Sequence, residues 1–112
     1  MFSKHTRISR KIYTKLPSPK RVMHSPLVSM RIFLLPKEYG GPLFMVTMGK
    51  KDARTAVVRN RMRRRYTHLL GRMRHKKLSG IGIQLIVKKA AVSVSAREAR
   101  EDLDILTRSL MP

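Results

Sequence analysis

Cysteine is absent from the 112 residues. That excludes a disulfide framework, a thiolate nucleophile and a cysteine-based zinc site. Acids are scarce: six Asp and Glu stand against 26 Lys and Arg. No apolar run approaches the ~18–20 residues that span a bilayer, and no signal-peptide core follows Met1. No glycine-rich phosphate loop precedes a helix, since Gly40-Gly41-Pro42 carries only the chemistry of a turn. His5, His24, His68 and His75 are dispersed, and the last two have arginine neighbours that would repel a cation. Without paired carboxylates, a metal cluster or a nucleophile beside its base, the chain by itself does not read as an enzyme.

Positive charge dominates what is present. The formal net charge is +20 and the isoelectric point is near 11.7. Hydrophobic residues make up 42%, enough for a modest core, so the length fits one domain spanning 1–112. Such a charge calls for a polyanionic partner, with RNA or DNA first and an anionic membrane second. The first 37 residues hold nine Lys and Arg and no acid, a pattern shared with mitochondrial transit peptides. The cytoplasm is the default location.

The densest stretch is 49–77, with twelve Lys and Arg against the single acid Asp52. It reads either as a nucleic-acid-binding helix or as a tail that never folds. Periodicity favours the helix, from about Thr55 to His75. Val58, Met62, Tyr66, Leu69 and Met73 make one apolar stripe, while Arg61, Arg64, His68, Arg72 and His75 make a cationic one. Arg59, Arg63 and Arg74 lie on the other flank, and Gly71 favours a bend or an early end.

Around this helix the chain predicts a small sheet. Residues 3–16 form a short helix capped by Ser3 or Thr6, with Ile8, Ile12 and Leu16 on one side, or else a frayed basic arm within 1–20. Pro17 and Pro19 stop it. Arg21–His24 suggests a short strand. Val28, Met30, Ile32 and Leu34 then alternate with Ser29, Arg31 and Phe33, and Pro26 and Pro36 bracket that strand. Leu43–Met48 reads as a further strand, antiparallel to it across the turn at 36–42. Ile81–Val87 is apolar on both sides, which suggests an interior strand. Ser95-Ala-Arg-Glu98 is a capping box opening a helix over 95–111, with Ala99, Leu103, Leu106 and Leu110 inward. That helix carries four of the six acids and is expected to face solvent. The fold class is α+β, a small α/β sandwich of a mixed sheet with helices packed on it.

Arginine holds phosphate through two parallel N–H···O bonds and stacks on exposed bases, so this helix suits structured RNA. Asn60 adds a side chain that donates and accepts at a base edge or 2′-hydroxyl. Tyr13, Phe33 and Phe44 could stack on a single strand, or simply be core. Charge and size alone fit a structural RNA-binding protein such as a small ribosomal protein.

A more specific likeness lies in Lys50-Lys51, Ala56, Arg59-Asn60-Arg61 and Arg63-Arg64, which follow a strand and then run along one helix. Tyr13 with Leu16 and Ile86-Val87-Lys88-Lys89 add weaker matches. These residues resemble the protein subunit of bacterial ribonuclease P, from about Tyr13 to Leu110. The resemblance implies the order αβββαβα, a four-stranded sheet and a left-handed βαβ crossover, where the general rule is right-handed. It implies a subunit of an endoribonuclease whose RNA does the catalysis with Mg²⁺, the protein binding that RNA and the 5′ leader of precursor tRNA. No small-molecule cofactor, protein-bound metal or membrane is implied. The residues expected on RNA are Lys50, Lys51, Arg54, Arg59, Asn60, Arg61, Arg63, Arg64, His68 and Arg72. Tyr13 and Phe33 are expected in the leader cleft. Two features depart from the family pattern: Thr67-His68 stands where Arg-Glu often follows, and two prolines shorten the first helix.

Overall fold

The computed structural model describes residues 7–39, 42–72 and 80–109. Among these, the alternating and apolar segments form strands β1 (Arg21–His24), β2 (Val28–Leu34), β3 (Leu43–Thr47) and β4 (Ile81–Val87). Helices α1 (Arg10–Tyr13), α2 (Ala56–Gly71) and α3 (Ala96–Arg108) intersperse them in the order αβββαβα. The strands make one mixed sheet, ordered β1-β2-β4-β3.

The expected pairing of β3 with β2 does not form. β4 lies between them, antiparallel to β2 and parallel to β3, with Gln84 opposite both Arg31 and Met45. Burial explains the order: β4 is buried at five of its seven positions, so it takes an interior place with a strand on either side. β3 still runs opposite to β2, but as an edge strand.

The first helix is shorter than the predicted 3–16. Ser9 Oγ accepts the Ile12 N–H at 3.2 Å, so the cap falls at Ser9. Ser3 and Thr6 lie outside the described residues. Ile8 belongs to no helix stripe, because its N–H donates to Phe44 O at 2.7 Å and holds the chain extended along β3. α2 ends at Gly71; Met73, Arg74 and His75, predicted to continue it, lie outside the described residues, as does Leu110. α3 begins as expected, with Ser95 Oγ accepting the Glu98 N–H at 3.1 Å.

Alternation sends the strands' side chains to two faces. Val28, Met30, Ile32, Phe44, Ile83, Leu85 and Val87 meet Met62, Tyr66 and Leu70 of α2 and Ala99, Leu103 and Leu106 of α3. On the other face Leu35 and Leu43 meet Ile8, with Ile12, Tyr13 and Leu16 around them. A Cβ on Gly82 would stand 2.9 Å from Leu35 Cδ2, so the missing side chain lets this smaller cluster sit close on the central strand. Asp102, expected to face solvent with the other acids, instead accepts the Ser25 hydroxyl at 2.7 Å and ties α3 to the β1–β2 turn.

Tyr66 is fully buried, and its hydroxyl has no partner among the described residues. Burial, then the nearby Asp102, pushes its pKa up to about 12 from 10.0, against a smaller opposing effect of Arg65. An orphaned buried hydroxyl lowers stability, so Tyr66→Phe is expected to unfold at equal or higher urea concentration. The folded pKa exceeds the unfolded one, so ionisation of this phenol takes nothing from stability below pH ~10 and lowers it as pH rises towards ~12. Urea melts at about pH 9 and about pH 11.5 should show less alkaline loss in Tyr66→Phe than in the unaltered chain; equal losses would place the alkaline sensitivity elsewhere.

Candidate nucleic-acid interface

α2 starts where Thr55 turns extended (φ −90°, ψ 142°) and its hydroxyl oxygen accepts the Val58 N–H at 3.3 Å. The loop before it turns back on itself, Asp52 and Ala53 N–H both donating to Gly49 O at 3.1 and 3.2 Å. Asp52 Oδ1 accepts the Lys89 N–H at 3.3 Å and anchors that loop to the end of β4. Met62, Tyr66 and Leu70 press one side of α2 into the core, with Val58 and Leu69 half-buried beside them.

The opposite side is cationic. Arg61, Arg64, His68 and Arg72 are all exposed and follow one another at three- and four-residue spacing, as do Asn60 and Arg63 on the flank. Lys50, Lys51 and Arg54 are exposed on the preceding loop. The first turn of α2 holds no acid. Asn60 is less free than expected, since its Oδ1 accepts a hydrogen bond from Arg63 Nη2 and leaves the amide nitrogen to donate.

Arg59 differs from its neighbours. It is half-buried, and Nη1 donates to Ala53 O at 2.8 Å and Arg54 O at 3.0 Å. Arg65, not among the expected contacts, turns the other way: its Nη1 donates to Ala91 O at 3.3 Å and Val94 O at 3.1 Å. Both guanidiniums satisfy backbone carbonyls within the protein.

Across the sheet, Tyr13 and Phe33 meet edge to face, with ring centroids 6.2 Å apart and planes at 79°. They line a cleft of about 270 Å³ with Leu16, Pro17, Pro19 and Arg31. Phe33 is only 4% exposed, so Tyr13 presents the more open ring. Phe44 is core, packed under α2 and α3. Sequence reasoning missed Gln84, 6% exposed, whose Oε1 accepts the Tyr13 hydroxyl at 3.4 Å. The available signal was a lone amide in the apolar run of β4.

Among the described residues no group of three His, Asp or Glu could hold a metal ion. His24 is engaged with Ser29 Oγ at 2.8 Å; His5 and His75 lie outside the described residues. From these bonds, Arg59→Ala is expected to lower the unfolding free energy by about 1–2 kcal/mol, while Arg61→Ala leaves the urea midpoint in place. Equal midpoints for both variants would mean that the Arg59 contacts add nothing to folding.

The model of the Ribonuclease P family matches residues 2–111. The ribonuclease P protein component of Idiomarina loihiensis is 36% identical over 75 residues, 67% of this chain and 59% of that protein. The aligned region thus spans less than two thirds of that relative's length. The Staphylococcus aureus RNase P protein structure superposes with a TM-score of 0.69 at 16% identity, covering 91% of this chain and 87% of that one. The Thermotoga maritima RNase P protein gives 0.64 at 17%, covering 93% and 94%. At those identities the two structures establish the shared fold, and the sequence match from residue 2 to 111 establishes kinship: the chain belongs to the Ribonuclease P family.

Proposed function

We propose that this chain is the protein subunit of a ribonuclease P ribonucleoprotein. On this reading it binds the catalytic RNA and the 5′ leader of precursor tRNA, and assists Mg²⁺-dependent endonucleolytic removal of that leader. One observation carries the proposal: the exposed row Arg61, Arg64, His68 and Arg72 on a helix whose other side is anchored in the core, continued by Lys50, Lys51 and Arg54. A rigid row of cations matches the phosphates of folded RNA better than a flexible tail, because less side-chain and backbone freedom is lost on binding. The Tyr13–Phe33 cleft is the candidate seat for the single-stranded leader, with the Tyr13 ring offered for stacking.

The protein's residues do not fit a resident Mg²⁺. The candidate interface presents guanidinium and ammonium groups, which repel the ion, where Mg²⁺ needs oxygen ligands. The metal therefore belongs to the RNA and substrate, and the protein's part is to offset phosphate repulsion where the two RNAs meet. No described helix is long and apolar enough to cross a membrane; on this reading the chain works in the cytoplasm beside its RNA.

The deciding experiment is precursor-tRNA cleavage by a bacterial ribonuclease P RNA at low Mg²⁺, with and without this protein. Cleavage at the mature 5′ end is expected to return when the protein is added. Unchanged cleavage, with tight binding to unrelated RNAs, would replace this reading with that of a structural RNA-binding protein. Binding to the RNA subunit should also weaken steeply with salt. If about six phosphates are contacted, the log–log slope is about −5; a slope near zero would rule out an electrostatic interface.

A further inference from the structure

Beside the start of α2 lies a second concavity, a groove of about 770 Å³. That is within the range of about 300–1,000 Å³ that holds small organic groups. Ala53 and Val58 form one side, Ala90 and Val92 the other, and Arg54 and Lys89 stand at its rim. The slot is mainly apolar within a cationic rim, and it sits beside the basic face. Val58, at the edge of the buried stripe, is followed one turn on by the exposed Arg61, and Arg54 lines the groove from the loop before the helix.

Both walls are held from α2. Arg59 binds the carbonyls of Ala53 and Arg54 on one side, and Arg65 binds those of Ala91 and Val94 on the other. The bond from Lys89 N–H to Asp52 closes the groove between them. Two arginines of a phosphate-binding helix are thus committed to keeping this slot open, and a preformed slot costs little ordering when it is filled.

We propose that the groove receives one unpaired nucleobase of the RNA partner, with the flanking phosphates on Arg54 and Lys89. The inference rests on the reading above that the partner is RNA. A base offers apolar faces to Val58 and Val92 while its own phosphates reach the cations. A paired base cannot enter, so the groove selects RNA with an extruded nucleotide over plain duplex. An apolar protein segment would match the walls and leave the two rim charges unanswered. Arg59 and Arg65 are positioning residues here, acting through the walls they hold.

The test fills the slot without changing charge. Ala90 is exposed on the groove and Ala96 is exposed outside it. Ala90→Trp is expected to weaken binding to a bacterial ribonuclease P RNA at least tenfold. Its affinity for a blunt-ended A-form RNA duplex should stay as in the unaltered chain, and Ala96→Trp should change neither affinity. If circular dichroism shows that Ala90→Trp misfolds, Ser93→Trp fills the groove from the same wall and carries the same expectation. Unaltered affinity for the ribonuclease P RNA, or an equal loss on that RNA and on the duplex, would overturn the proposal. A Lys51→Ala/Arg61→Ala chain separates the two levels. If it loses affinity while the tryptophan variant does not, only the groove falls; if neither loses affinity, the RNA reading falls with it.

Discussion

A helix with this many arginines survives only because its other side is buried. Met62, Tyr66 and Leu70 are each fully enclosed between the sheet and α3. Burying such side chains stabilises by about 1.5–3 kcal/mol apiece, as an upper bound. Like charges three or four residues apart, such as Arg61 with Arg64, cost only about 0.2–0.5 kcal/mol per exposed pair. Packing therefore wins against repulsion, and the cations are displayed on a fixed axis. Without that packing the same stretch would be an expanded basic tail, and the groove and the row of exposed arginines would vanish together.

The arginines divide by what lies beside them on the helix surface. Arg61, Arg63 and Arg64 project outward, while Arg59 and Arg65, close by on the same helix, curl back onto carbonyls of the flanking loops. A guanidinium on a three-carbon stem can serve either purpose. The division makes the basic face self-supporting, since the helix that presents cations also braces, through Arg59, the loop carrying Lys50, Lys51 and Arg54.

Periodicity alone made α2's inward stripe and the interior character of Ile81–Val87 legible, because both follow from which side chains must leave water. It named Leu69 where Leu70 is the more deeply buried, a drift expected when 3.6 residues per turn is read in whole steps. The pairing partner of β3 was not legible. Two strands joined by a short turn look like a hairpin locally, and only the burial needs of a strand nearly 40 residues later displace that pairing. The basic row was readable from spacing, and its family from the Lys-Lys and Arg-Asn-Arg pattern. The bonds of Arg59 and Arg65, the Ser25–Asp102 tether and the Gln84 contact were not readable, because each depends on where a distant backbone or side chain arrives.

The place of β4 between β2 and β3 has a consequence for how the molecule comes into being. Chain order delivers the two outer neighbours first and the strand that joins them afterwards. During synthesis β3 has no sheet partner until residues 81–87 leave the ribosome, and α2 has only part of the surface against which it packs. The basic helix is thus withheld from its final shape until most of the chain exists. Such late, non-local closure slows folding relative to a chain of local hairpins. It also means that a nascent fragment ending just after residue 77 carries the full cationic stretch without the scaffold that aims it.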